Sequence, residues 1–158
     1  MLWLDAMANG TVVIVGDLPI EHLGLDLLVA EFGWSLKKVE DLDDLQTFGG
    51  NCDPVTVLFG PKILALSWAK ALNRVMAAAP RALPIVCHGF GERLDLSEVA
   101  EAGAFHTLLL PFSVSEVRQS LGFVWCAKRL RTRILPQLVP QRHQRISRRT
   151  SRQIHVVA

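Results

Sequence analysis

The chain has 158 residues, 50% of them hydrophobic, and a formal net charge of +2 at pH 7; that is enough apolar material for one globular domain with a sizeable core. No apolar run reaches the roughly 18–20 residues that a bilayer crossing needs, and the leader M-L-W-L-D-A-M has no basic start of a secretory signal. Three widely spaced cysteines, Cys52, Cys87 and Cys126, without a C-x-x-C pair argue against a disulfide framework or a metal cage, and buried free thiols in a cytoplasmic protein are expected instead.

Residues 1–10 read as a leader ending in the Asn9-Gly10 turn. T-V-V-I-V at 11–15 is a β-branched run that suits a strand buried on both faces. Leu23, Leu27, Leu28, Ala30 and Phe32 then recur near helical spacing over 20–34, and Gly33 closes that helix. A weaker strand at 35–39 follows. Acids at 40, 41, 43 and 44 open a second helix, which Gly49-Gly50-Asn51 is expected to end. V-T-V-L-F at 55–59 is the third strand, stopped by Gly60-Pro61, and an alanine-rich helix over 63–79 carries Leu66, Ala69, Leu72 and Met76 on one side. Pro80 to Pro84 links to the fourth strand, which ends at His88-Gly89, and a small-residue helix reaches Ala102 and stops at Gly103. The fifth strand is 106–110, and Ser113 or Ser115 caps a last helix with Glu116 in its first turn. That helix meets no stop signal until Pro136, and its apolar stripe of Val117, Leu121, Val124, Trp125, Leu130 and Ile134 persists to the end.

Five strands alternating with five helices imply a parallel sheet covered on both faces. The size suggests the flavodoxin-like order 2-1-3-4-5, with the C-terminal helix extending past the body and available for pairing with a second copy.

Charge divides the chain unevenly. Residues 1–127 hold 8 Lys/Arg against 15 Asp/Glu, a net −7, whereas 128–158 hold 9 Lys/Arg and no acid, a net +9. An acidic body thus carries a basic helix extension and a Pro-, Gln- and Arg-rich tail expected to be disordered. Arg129, Arg131, Arg133, Arg142, Arg145, Arg148, Arg149 and Arg152 are the candidate contacts to nucleic acid; the alternative is a solvated linker.

The stretches A-G-A at 102–104, L-L-L-P-F-S at 108–113 and S-E-V at 115–117 make the chain resemble the response-regulator receiver domains, the CheY-like superfamily. The resemblance covers roughly residues 11–127. It implies a fifth strand ending before a cis proline, retained here as Pro111-Phe112, and a phosphoryl-transfer site at the strand ends. In that family an acidic pair after the first strand holds a divalent cation. An Asp ending the third strand accepts the phosphoryl group, a Thr or Ser ends the fourth, and a Lys ends the fifth; metal and Lys neutralise the charge while the carboxylate attacks. The matching positions here are Gly16 and Asp17, Gly60, Gly89 and Leu110. One carboxylate of the pair remains and the other positions are emptied. The expectation is a pseudo-receiver without catalytic residues, cofactor or metal, similar to the atypical receivers of flagellar sigma-54-dependent activators and AmiR-type antiterminators.

The resemblance further implies a cytoplasmic signalling domain that works as a homodimer or through a regulatory protein partner, using the face of the fourth helix, fifth strand and fifth helix. Here that face comprises Val99, Phe105, His106, Leu108, Val117, Arg118 and Leu121, with Trp125 further along. Other signals are weaker. Asp17 reads as a cap of a turn or helix rather than a cation ligand. Asp17, His22 and Gly24 miss the D-x-H-x-x-G spacing of cobalamin binders, and Gly89-Phe90-Gly91 lacks the G-x-G-x-x-G of a dinucleotide site. A small cofactor-binding flavodoxin-like protein stays as an alternative, since open α/β sheets bind ligands at their carboxyl edge. His88 and His106 are expected at opposite ends of neighbouring strands, which argues against a joint metal site.

Overall fold

Runs of β-branched residues build the centre of the molecule. The computed structural model describes residues 9–18, 24–60, 67–89 and 94–134. The expected leader lies almost entirely, and the tail from 135 onward wholly, outside the described residues. Strands β1 (Thr11–Val15), β2 (Ser35–Val39), β3 (Thr56–Phe59), β4 (Leu83–Gly89) and β5 (His106–Leu110) pair in parallel in the order β2-β1-β3-β4-β5. This is the expected order. The register joins Val15 to Val39 and to Phe59, Phe59 to Val86, and Gly89 to Leu110. The carboxyl ends of the strands therefore line up along one edge.

Alternate residues of each strand point to opposite faces, and two cores result. Val12, Ile14, Leu58, Ile85, Cys87 and Leu108 pack under α1 (Leu25–Glu31) and α5 (Val114–Ile134). Val13, Val15, Val57, Phe59 and Val86 pack under α2 (Leu42–Asn51), α3 (Trp68–Ala78) and α4 (Leu96–Glu101). Each fully buried aliphatic side chain contributes about 1.5–3 kcal/mol. The one buried hydroxyl on β3, Thr56 Oγ1, donates to the Leu83 carbonyl at 2.6 Å, so it enters the core without an unmet hydrogen bond.

Helix ends follow local chemistry. Asp41 caps α2 by accepting from the Asp44 amide at 2.9 Å, and Asp95 caps α4 by accepting from the Ser97 and Glu98 amides. Of the two serines ahead of α5, Ser113 is the cap. Its Oγ accepts from the Glu116 amide at 3.3 Å while Glu116 Oε2 accepts from the Ser113 amide at 2.6 Å, a reciprocal capping box. The peptide Leu110–Pro111 is cis.

Two boundaries differ from the expectation. The first helix spans 25–31 rather than 20–34; part of the expected span, 20–23, lies outside the described residues, as does 63–66 of the third. The second helix runs through Gly49 and Gly50 to Asn51. A Cβ on Gly49 would stand 2.4 Å from the Ala78 carbonyl oxygen. The glycine there serves the close packing of α2 on α3, and that tertiary contact outweighs its tendency to end a helix. Among the described residues no helix is long and apolar enough to cross a membrane. The thiols also divide: Cys87 is buried, Cys52 half-buried and Cys126 exposed, so burial holds for one of the three.

Candidate functional site

The carboxyl edge of the sheet brings the expected strand-end positions together. Gly16 follows β1 and donates its amide to the Val39 carbonyl at 2.9 Å. Asp17 is 97% exposed and pairs with Lys38 Nζ of β2 at 3.2 Å. The expected cap is thus replaced by a surface ion pair. The next residue, Leu18, turns inward and joins the core under α1 and α5. Gly60 follows β3 and is buried. A Cβ built on it would lie 2.9 Å from Leu18 Cδ2 and 3.4 Å from the Cys87 carbonyl oxygen. Leu18 therefore fills the space that a side chain at position 60 would need. Leu110 packs partly buried against the same core, beside Gly89 on β4.

Of the acidic groups that the resemblance assigns to this edge, one is present in the sequence. A magnesium ion is held by one or two carboxylates, with water and phosphate oxygens completing its octahedron. Here the sole carboxylate among the matched positions, Asp17, points into solvent beside a lysine. Among the described residues no group of three or more His, Cys, Asp or Glu side chains is placed to hold a metal ion. Burial pushes the Cys87 thiol well above its ordinary range, so it stays protonated and unreactive. His88 pairs with Leu109 and His106 with Ile85, which leaves the two histidines three residues out of register, as expected.

No protein-family model matches the sequence, and no curated protein matches it. Solved structures do. The signal receiver domain of a putative LuxO repressor protein from Vibrio parahaemolyticus superposes with a TM-score of 0.66 at 16% identity, covering 80% of this chain and 97% of that one. A response-regulator receiver domain from Clostridium thermocellum gives 0.60 at 20% identity, covering 77% and 98%. NtrX from Brucella abortus gives 0.67 at 12% identity, covering 82% of this chain and 29% of that longer one. The chain has the receiver fold. Within that fold, the strand-end edge described above is the location of the phosphorylation site implied by the sequence resemblance.

The second expected site needs correction. Of the eight residues assigned to the α4–β5–α5 face of the receiver, Val99, Leu108, Val117 and Leu121 are 0–4% exposed. They belong to the two cores and have no surface to offer a partner. Arg118 lies on the α1 side of α5, where its guanidinium donates to both Glu31 oxygens at 2.9 and 3.0 Å. Phe105, His106 and Trp125 are partly buried. Exposed apolar residues on these elements include Leu109 at 38%, Phe123 at 47% and Leu130 at 57%, with Leu96 and Val114 at the helix starts. Phe123 and Leu130 are seven residues apart and share one side of α5, and the Phe123 ring meets His106 edge-on at 5.8 Å. Burial holds the His106 imidazole below its usual range. Exposure past the body was legible only as a long stripe; the stripe does not say which of its members the sheet covers.

Of the basic candidates, the Arg129 guanidinium stacks over the Trp125 ring at 4.4 Å, and Arg131 is exposed. Arg133 lies in the last turn of α5. Arg142, Arg145, Arg148, Arg149 and Arg152 lie outside the described residues.

Proposed function

We propose that this chain is a pseudo-receiver: a non-enzymatic, cytoplasmic signalling domain that keeps the receiver scaffold and does without phosphorylation. It acts by homodimerisation and by binding a regulatory protein, in two-component-type or transcriptional regulation. The reading rests on one observation above the others. Position 60, where the resemblance puts the phosphoryl acceptor, is a buried glycine whose side-chain space Leu18 occupies. Leu110 and Gly89 in place of the phosphate-reading Lys and hydroxyl agree with it.

The dimer seam in this reading is the exposed side of α5, Phe123 and Leu130, with Leu109 of β5 beside it. Seven-residue spacing of exposed apolar side chains is the pattern two helices use to pair. The ion pair of Arg118 with Glu31 ties α5 back to α1 and leaves that seam facing outward.

The test is a titration with magnesium and beryllofluoride, a phosphoryl mimic, followed by amide NMR. Unmoved resonances at Gly16, Gly60, Gly89 and Leu110 are expected. Saturable shifts at those positions would return the chain to the phospho-accepting receivers.

A further inference from the structure

The sheet has two outermost strands, β2 and β5. On the outer side of each, alternate main-chain amides and carbonyls meet no neighbouring strand, an arrangement that can accept a further strand. The two are not equally guarded. Neighbouring Lys37 and Lys38 of β2 are both exposed, one on each face, and charge of that kind blunts a strand edge. β5, His106-Thr107-Leu108-Leu109-Leu110, has no Lys, Arg, Asp or Glu. Among the described residues its main chain is bonded on the β4 side alone. The two faces beside it differ in chemistry. His106 and Leu108 face α5: Leu108 lies in that core, and the His106 ring meets the exposed Phe123 ring edge-on. Thr107 and the exposed Leu109 face the opposite side, where α4 packs. Helix α4 exposes Glu98 and Glu101, and neither pairs with a cation among the described residues. From Leu94 to Val117 the acids are Asp95, Glu98, Glu101 and Glu116, and there is no Lys or Arg.

We infer that the outer side of β5 receives an extended strand of a partner protein, with apolar side chains toward α5 and Lys or Arg toward α4. In strand addition the main-chain hydrogen bonds supply affinity and the alternate side chains supply selectivity. Successive side chains of the added strand point to opposite faces. Those on the α5 side meet His106 and Phe123, an uncharged surface. Those on the other side meet Leu109 and the acidic helix α4. Lys or Arg suits that side because its aliphatic stem covers apolar surface while its charged head stays in water beside the acids. A second copy of this chain fits less well. Its β5 has no base to offer, and pairing β5 with β5 would bring two sets of α4 acids together, which like charge opposes. This inference names the chemistry of the regulatory protein in the proposed function and rests on that half of the reading.

The experiment is fluorescence anisotropy of the full chain with a labelled peptide of alternating Lys and Val, about seven residues long to match a strand, with amide hydrogen exchange by NMR on the same complex. Saturable binding is expected, with exchange slowed at alternate amides of His106–Leu110 and unchanged in β2. Leu109→Lys installs the kind of guard that β2 has and should abolish binding while the fold survives. Glu98→Gln/Glu101→Gln should weaken binding by roughly two- to five-fold per acid, the range of a cross-strand charge pair. The same peptide N-methylated throughout keeps its charge but loses its main-chain donors, and should not bind. Equal binding of the N-methylated peptide, or of an alternating Asp and Val peptide, would overturn strand addition, as would protection confined to β2. Alternate β5 amides that are protected without peptide and released on dilution would give the edge to a second copy and overturn the partner strand. No binding, with strand-end resonances unmoved by beryllofluoride, would overturn the β5 edge and leave the pseudo-receiver standing; saturable beryllofluoride shifts would overturn the pseudo-receiver whatever the peptide does.

Discussion

Position 60, where the resemblance puts the phosphoryl acceptor, is a buried glycine. Glycine removes the side chain, and the Leu18 methyl 2.9 Å from where a Cβ would stand must turn aside for any larger residue. Gly60→Asp should cost about 1–3 kcal/mol through overpacking, beyond the cost of burying a carboxyl group. Urea unfolding measures it. Leu18→Ala alone should also destabilise, since it empties core volume, yet in the double variant the two losses should sum to less than their parts. Strictly additive losses, or a fully stable Gly60→Asp, would mean that Leu18 does not fill the site. The emptied positions Gly16, Gly60, Gly89 and Leu110 could be read directly from sequence, because glycine and leucine lack the required groups wherever they sit. The role of Leu18 could not. Whether an apolar residue just after a strand turns in or out is decided by the neighbouring strand end, and here that end offers the vacant space of Gly60.

Among the elements, α5 has the most local determinants and the most uses. Its start is fixed by Ser113 and Glu116, and Ser113→Ala should cost about 1 kcal/mol. The Ser113 amide first, then its hydroxyl, holds the Glu116 carboxyl below the ordinary glutamate value of 4.5. The hydrogen bond from Arg118 does the same for Glu31. Both groups bind protons less readily folded than unfolded. Their stabilising contribution is therefore present above the ordinary glutamate value and is lost as pH falls through the lowered ones. Thermal unfolding over roughly pH 3–6 should show stability dropping on the acid side, with a shallower drop in Glu116→Gln. An identical profile in that variant would remove the capping box from the account. Strand positions, the alternation and the length of α5 were legible because two-residue and 3.6-residue periods are written into the sequence. The persistence of α2 through Gly49 was not, because it depends on the Ala78 carbonyl of a helix some thirty residues away. The two-sided division of α5 was legible in part. Periodicity groups Val117, Leu121 and Val124 on one side, but the sheet that covers them comes from the rest of the fold.

At the scale of the whole molecule, two edges of one sheet carry different prospects. The carboxyl edge keeps the receiver strand order and carries Leu18 packed against Gly60, and the amino edge brings Arg81 beside Lys128. In the proposed reading, the outward side of α5, where Phe123 and Leu130 are exposed, mediates association. The order 2-1-3-4-5 followed from five alternating units and their right-handed crossovers. The surviving surface did not, since Phe123 and Leu130 become distinct from the buried stripe only once α5 is laid on β5. The measurement closest to the central claim is the solution mass of the chain before and after acetyl phosphate and magnesium, by light scattering with intact mass spectrometry on the same samples. The account predicts a dimer in both conditions with no phosphoryl adduct, and a monomer in both for Phe123→Glu/Leu130→Glu. A phosphoryl adduct on a carboxylate, or a size that changes only when acetyl phosphate is added, would contradict it.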